Sequence, residues 1–170
     1  MPHESSAEAL RQQLRYSSDP LLRKRRAIVG LSVFSSAVLG GIALFQVGLL
    51  KQLPDPSLPQ FNADDVNASP QAYSLLETPD ALLGMASYSV TACLAGMGKQ
   101  DRWKTARWIP LAMGTKAICD AALAARFSAL QGAKFGKFSV WSLLIAGATF
   151  GTLALSLSEL GRACRRGLSV

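Results

Sequence analysis

Four long apolar stretches, at about residues 27–50, 81–97, 108–130 and 138–160, alternate along the chain with charged or proline-rich segments. Each is near the ~20 residues that a helix needs to cross a hydrocarbon core about 30 Å thick. Residues 27–50 hold no charge and one amide, Gln46. A helix of a soluble bundle keeps a polar face for water, and this stretch has none. The pattern predicts an all-α, polytopic membrane protein, a bundle of four transmembrane helices. It divides the chain into a basic N-terminal segment at 1–26, a four-span domain at 27–160 and a basic tail at 161–170.

Charge orients the bundle. Thirteen of the eighteen Lys and Arg residues fall in 1–26, 98–107 and 161–170, which share one side of the membrane if all four stretches span. The other side receives Lys51, Lys134 and Lys137, together with Asp55, Asp64, Asp65, Glu77 and Asp80. An excess of Lys and Arg marks the cytoplasmic side, so both termini are expected there, in an inner, plasma or equivalent energy-transducing membrane. The net charge of +7 does not point to nucleic acid. Arg23, Lys24, Arg25 and Arg26 directly abut an apolar span, where such a cluster sets topology and meets anionic lipid. The expected partner is the bilayer. The head is too long and charged for an ordinary signal peptide and no small-residue cleavage site follows, so the first span is expected to be retained.

Residues 1–22 suggest a short amphipathic helix on the inner surface, ending before Pro20, with Ala9, Leu10 and Leu14 on a different face from Arg11, Gln12 and Arg15. Ser35, Ser36, Ala37, Gly40 and Gly41 in the first span, and Gly147-x-x-x-Gly151 in the fourth with Ala148, Thr152 and Ser156 beside it, allow helices to approach closely. Five of the eight prolines lie in 51–80. Proline fixes φ and removes a donor, which excludes a regular helix or central strand there. So long a connection is expected to be an extracytoplasmic cap loop, with Leu58, Phe61, Val66 and Tyr73 packing downward.

Cys93, Cys119 and Cys164 form no C-x-x-C and read as buried small hydrophobes. The sole histidine, His3, joins no cluster, so no metal site and no serine-hydrolase base is expected. Glu159 is expected to form a surface ion pair with Arg162.

The third span carries Lys116, Asp120 and Arg126. Its apolar side chains contribute roughly −2 to −4 kcal/mol to insertion, whereas each charge costs about 2.5 to 3.5 at mid-membrane. Arg126 lies near the outer end and extends toward water. Lys116 and Asp120 are four residues apart, on one face, and can pair. An intramembrane ion pair of this kind either borders a polar ligand pocket or fixes helix register.

Phe138-Ser-Val-Trp-Ser-Leu143 opens the last span on the outer side. With cysteine in place of both serines, Ser139-Val140-Trp141-Ser142-Leu143 would read C-x-W-C-L, which resembles the redox motif of the vitamin K epoxide reductase family. Pro79-Asp-Ala-Leu-Leu-Gly84-x-x-x-Tyr88 is similar to that family's entry into its second helix, and a long outer loop between the first two helices agrees. The likeness covers about residues 25–160. It implies a four-helix core that holds a quinone, a motif cysteine pair that reduces it and a loop pair that relays electrons from thiols. Here the motif positions are Ser139 and Ser142, and 51–80 has no cysteine. A serine hydroxyl neither ionises near neutral pH nor forms a disulfide.

The expected function is that of a redox-silent member that holds a quinone, another isoprenoid-type ligand, a lipid or a pigment, or serves as an accessory subunit of a membrane complex. The alternative is a quinone-linked thiol-disulfide oxidoreductase whose motif cysteines were changed to serine by engineering. The sequence inclines against an enzyme in this form. Candidate ligand-binding residues are Trp141, Lys116, Asp120, Phe61 and Tyr88. A transporter or channel is the weakest class, since Gln46, Lys116, Asp120 and Arg126 alone would give its spans a polar lining.

Overall fold

A computed structural model describes residues 6–56 and 58–167. Among these, the chain forms α1 (Ser6–Tyr16), α2 (Pro20–Gln46), α3 (Ala63–Asn67), α4 (Asp80–Gly96), α5 (Arg102–Thr105), α6 (Trp108–Leu130) and α7 (Val140–Gly167). A 3-10 turn at Pro70–Tyr73 precedes α4, and a π-helical turn at Gln131–Phe135 follows α6. The described residues include no strand; Phe61 and Phe138 form one isolated parallel bridge. The helix α2 packs along α4 and α7, α6 packs along α7, and a lighter α4–α6 seam closes the ring. His3 and the last three residues of the basic tail lie outside the described residues.

Two helices, α2 and residues Val140–Arg165 of α7, are long and apolar enough to cross a membrane. The other two long helices sit where the sequence pattern put them: α4 covers 17 residues and α6 covers 23, with the charges of Lys116, Asp120 and Arg126 on α6.

The helix α2 starts seven residues before the apolar stretch. Asp19 caps it, accepting the N–H groups of Leu21 (2.8 Å) and Leu22 (3.1 Å), and Pro20 fills the first helical position. Both devices satisfy or remove donors that a helix start leaves orphaned. The basic run 23–26 is therefore helical. The helix also stops four residues early, at Gln46, because the chain turns through Gly48 at φ +79°, a left-handed conformation that glycine adopts without steric cost. The last helix starts at Val140 and continues to Gly167, past the apolar stretch.

Small side chains let the helices close. Ser32 and Ser35 of α2 and Ala148, Thr152 and Ser156 of α7 are buried. Gly151 faces Leu31, whereas Gly147, expected to pack, has open space around it. The three cysteines are exposed rather than buried. Thr91 and Ala95 flank Cys93, Ala117 and Ala121 flank Cys119, and Ala163 precedes Cys164; these neighbours take the inward positions. One apolar cluster (Leu39, Ile42, Ala43, Leu53, Ala63, Ala81) lies at the α4 N-terminal end of the bundle, and a second (Ile28, Ala95, Met113) lies at the opposite end.

Candidate functional site

The head of α7 is built mainly from amide and hydroxyl hydrogen bonds. Ser139, wholly buried, immediately precedes the helix and caps it. Its Oγ accepts the Ser142 N–H (3.4 Å) and its carbonyl accepts the Leu143 N–H (3.0 Å). The same Oγ accepts a bond from Asn67 Nδ2 at 3.1 Å, and that amide nitrogen also donates to the Ala63 carbonyl. Asn67 is tied onward: its carbonyl accepts from Gln46 Nε2 (3.1 Å), which also donates to Asp80 Oδ1 (2.7 Å). Gln46 Oε1 accepts the Ala81 N–H and the Gln46 carbonyl accepts the Tyr73 hydroxyl. One buried amide thus joins α2, α3, the 3-10 turn and the start of α4. The Asp80 carboxyl is tucked against it, and loss of water there raises its pKa above the usual carboxylate value, with the Gln46 amide and Ala81 N–H pulling in the opposite direction.

Residues 51–80 fasten onto this head. The Trp141 indole donates to the Pro54 carbonyl (2.8 Å), Asn62 N–H to the Phe138 carbonyl (3.0 Å) and Phe138 N–H to the Gln60 carbonyl (2.8 Å). Lys137 pairs with Asp65 at 2.7 Å. Asp55 Oδ1 accepts the Val140 N–H at 3.4 Å, while its buried Oδ2 has no partner. The Trp141 ring rests on Gly41, where a Cβ would come within 2.7 Å of it. Of the side chains expected to pack downward, Val66 is buried, Phe61 and Tyr73 are half-buried and Leu58 is exposed. Leu58 is a correction: it lies among Pro56, Pro59 and Gln60, all exposed, and Leu53 takes the buried place instead.

An open depression of about 370 Å³ is lined by Gln52, Leu53, Pro54, Asp55 and Phe61 to Asp64. Among the predicted ligand residues, only Phe61 lines it. Lys116 and Asp120 form the expected pair at 2.6 Å, each about a fifth exposed, and Lys116 donates to Ser87 Oγ of α4 at 2.8 Å. Tyr88, next to Ser87, hydrogen-bonds Thr149 of α7. Thr149 lies ten residues from Ser139, about 15 Å along the helix. The predicted residues therefore fall into two groups: Ser139, Trp141, Ser142 and Phe61 at the head of α7, and Lys116, Asp120 and Tyr88 at a deeper level.

The opposite end is charged. Arg25, 2 % exposed, donates to the carbonyls of Ala95 (2.8 Å), Met97 (2.7 Å), Gly98 (2.9 Å) and Lys99 (3.1 Å). It caps α4 at the negative end of the helix dipole. Arg102, wholly buried, clasps Glu159 through Nε and a terminal nitrogen, both at 2.7 Å, and donates to the Met97 carbonyl. Glu159 is thus not the surface partner of Arg162. Its inward position on α7 meets the guanidinium of α5, a planar fork that matches a carboxylate at two points. Asn67 and Arg102 carry no mark in the sequence, and the structural roles of Gln46 and Arg25, read there as a polar span residue and as part of the basic cluster, emerge only in the fold. Gln46, the single amide in an apolar stretch, carried a signal; Arg25 is indistinguishable from its basic neighbours.

The sequence profile of the vitamin K epoxide reductase family matches residues 26–157. The chain belongs to this family. No curated protein and no solved structure matches it. The family is membrane-associated and redox-related, and the matched span takes in α2 from Arg26 onward, the segment 51–80, α4, α6 and α7 as far as Leu157. It also takes in Ser139 and Ser142.

Proposed function

We propose that this chain is a four-span vitamin K epoxide reductase family protein that performs no thiol redox chemistry and instead holds a quinone, lipid or pigment, or supports a larger membrane assembly. The carrying observation is Ser139. On this reading its hydroxyl stands at the motif position, and it is wholly buried and engaged by Asn67 and the first turn of α7. A side chain so placed caps a helix and locks a loop. Cys93, Cys119 and Cys164 are all exposed and none is disulfide-bonded.

Four spans are supported by the faces that the helices turn outward: Val33 and Phe34 on α2, Val90 on α4, Ile118 and Phe127 on α6, and Phe150 on α7 are exposed. In water such a ring of large side chains would drive association, whereas hydrocarbon solvates it. The Lys116–Asp120 pair then lies within the membrane at the α4–α6 seam, and the basic segments support a cytoplasmic orientation for both described ends. Residues 51–80 form the extracytoplasmic cap.

The test is quinone-dependent thiol oxidation in reconstituted protein, with Ser139→Cys/Ser142→Cys beside the wild type. The expected result is no activity in either, and co-purification of a prenylated ring compound extractable by organic solvent would identify the ligand. Activity in the wild type overturns the proposal. Robust activity in the double variant alone favours an oxidoreductase disabled by two substitutions.

A further inference from the structure

The capture of Glu159 by Arg102 leaves two exposed cations at the same end of the molecule without an acidic partner. Arg162, one turn along α7 from Glu159, lies 5.9 Å from the centre of the Trp103 ring, and Lys104 of α5 lies 4.9 Å from it. Neither forms an ion pair with a carboxylate among the described residues, and Asp101, the acid nearest Lys104 in sequence, pairs with neither. The ring quadrupole attracts each cation, but it cannot neutralise two like charges held beside one indole. An anion shared between them would.

We propose that Trp103, Lys104 and Arg162 form a binding site for the phosphate of an anionic phospholipid headgroup. The chemistry fits in three respects. A phosphodiester carries one negative charge over two free oxygens, enough to accept from an ammonium and a guanidinium together. Trp103 is half-buried, with an apolar body and a polar N–H, the combination that favours the headgroup level. The short helix α5 ends three residues before α6 begins its apolar run at Trp108, so the cations stand where headgroups would lie. The contribution of each cation near an anionic surface is of the order that distinguishes one lipid from another. A lipid, rather than a free anion, is favoured because the three side chains flank the start of an apolar helix. The site rests on the topology proposed above only for its placement in the inner leaflet.

Native mass spectrometry of the full chain, released from phosphatidylcholine nanodiscs with and without added phosphatidylglycerol, reads lipid retention directly. The wild type is expected to retain phosphatidylglycerol several-fold over phosphatidylcholine, and Lys104→Gln/Arg162→Gln to lose that preference. Arg11→Gln/Arg15→Gln, which removes the same charge from α1, is expected to keep it. Equal retention of the two lipids by the wild type, or an unchanged preference in Lys104→Gln/Arg162→Gln, overturns the site. Abolition of the preference by inorganic phosphate at matched ionic strength overturns the assignment to lipid. Both side chains are exposed, and if the double variant loses helicity, Lys104→Gln alone is read by the same criterion. Orientation is scored separately by labelling Cys164 with a membrane-impermeant maleimide in intact cells. Labelling from outside would refute the cytoplasmic placement while leaving the lipid preference in nanodiscs intact.

Discussion

The two ends of this bundle are held by opposite chemistry. At one, buried guanidinium groups of Arg25 and Arg102 gather the last carbonyls of α4 and the carboxylate of Glu159. At the other, amides and hydroxyls of Gln46, Asn67 and Ser139 do the joining, and the ion pair present, Lys137–Asp65, is exposed. Charged bonds in a low-dielectric setting are strong, but each leaves a stranded charge when its partner is lost. A neutral network loses less per substitution. The head of α7 can therefore exchange side chains without endangering the fold, and the far end cannot.

The contrast predicts a ranking. Glu159→Gln leaves Arg102 buried with its charge uncompensated and is expected to cost about 3–5 kcal/mol, read by denaturant unfolding in detergent followed by circular dichroism. Replacing both partners, Arg102→Leu with Glu159→Leu, removes the stranded charge and is expected to recover part of that loss. A single variant no worse than those at the α7 head would erase the difference between the ends. Gly41→Ala comes next. The new methyl meets a Trp141 ring pinned through its N–H to Pro54, and overpacking of this kind costs about 1–3 kcal/mol. The same assay should show it, together with a shift in Trp141 emission.

What the sequence disclosed follows from the same physics. The apolar stretch at 108–130 became α6 with identical limits, and that at 81–97 became α4 within one residue, because both runs are bounded by residues that break or end a helix, Pro79 and the positive-φ Gly98 among them. The start of α2 was missed because the run Arg23 to Arg26 looked like a boundary, although charge forbids burial in lipid and not helix. The Asp19-Pro20 pair carried the true start signal. The Lys116–Asp120 pair was legible because four residues is one turn. Arg102–Glu159 was not, since its partners are 57 residues apart and only the fold brings them together. The serines at 139 and 142 were visible at the head of the last apolar stretch, but Asn67, the partner that engages Ser139, had nothing in its neighbourhood to mark it.

A smaller effect is expected at Ser139 itself. Ser139→Ala removes an N-cap and one acceptor of Asn67, which together cost about 1–2 kcal/mol. Asn67 Nδ2 keeps its bond to the Ala63 carbonyl, so the damage stays local. Hydrogen exchange is expected to rise in the first turn of α7 and in α3, and to stay unchanged in α5. A loss as large as that of Glu159→Gln would show the neutral end to be as intolerant as the charged one.

The smallest effect concerns pH. The raised pKa of Asp80 means that the folded state holds this proton more tightly than the unfolded chain does. The resulting stabilisation is fully present below the ordinary carboxylate pKa and is lost as pH rises through the raised value. Asp80→Asn retains an oxygen for the Gln46 amide and cannot titrate. Stability measured from acid toward neutral pH should fall less steeply in the variant than in the wild type, and the two slopes should agree above that window. Coincident slopes throughout would mean that Asp80 keeps its water, and the Gln46–Asn67–Ser139 network would then contribute nothing to the pH dependence of stability.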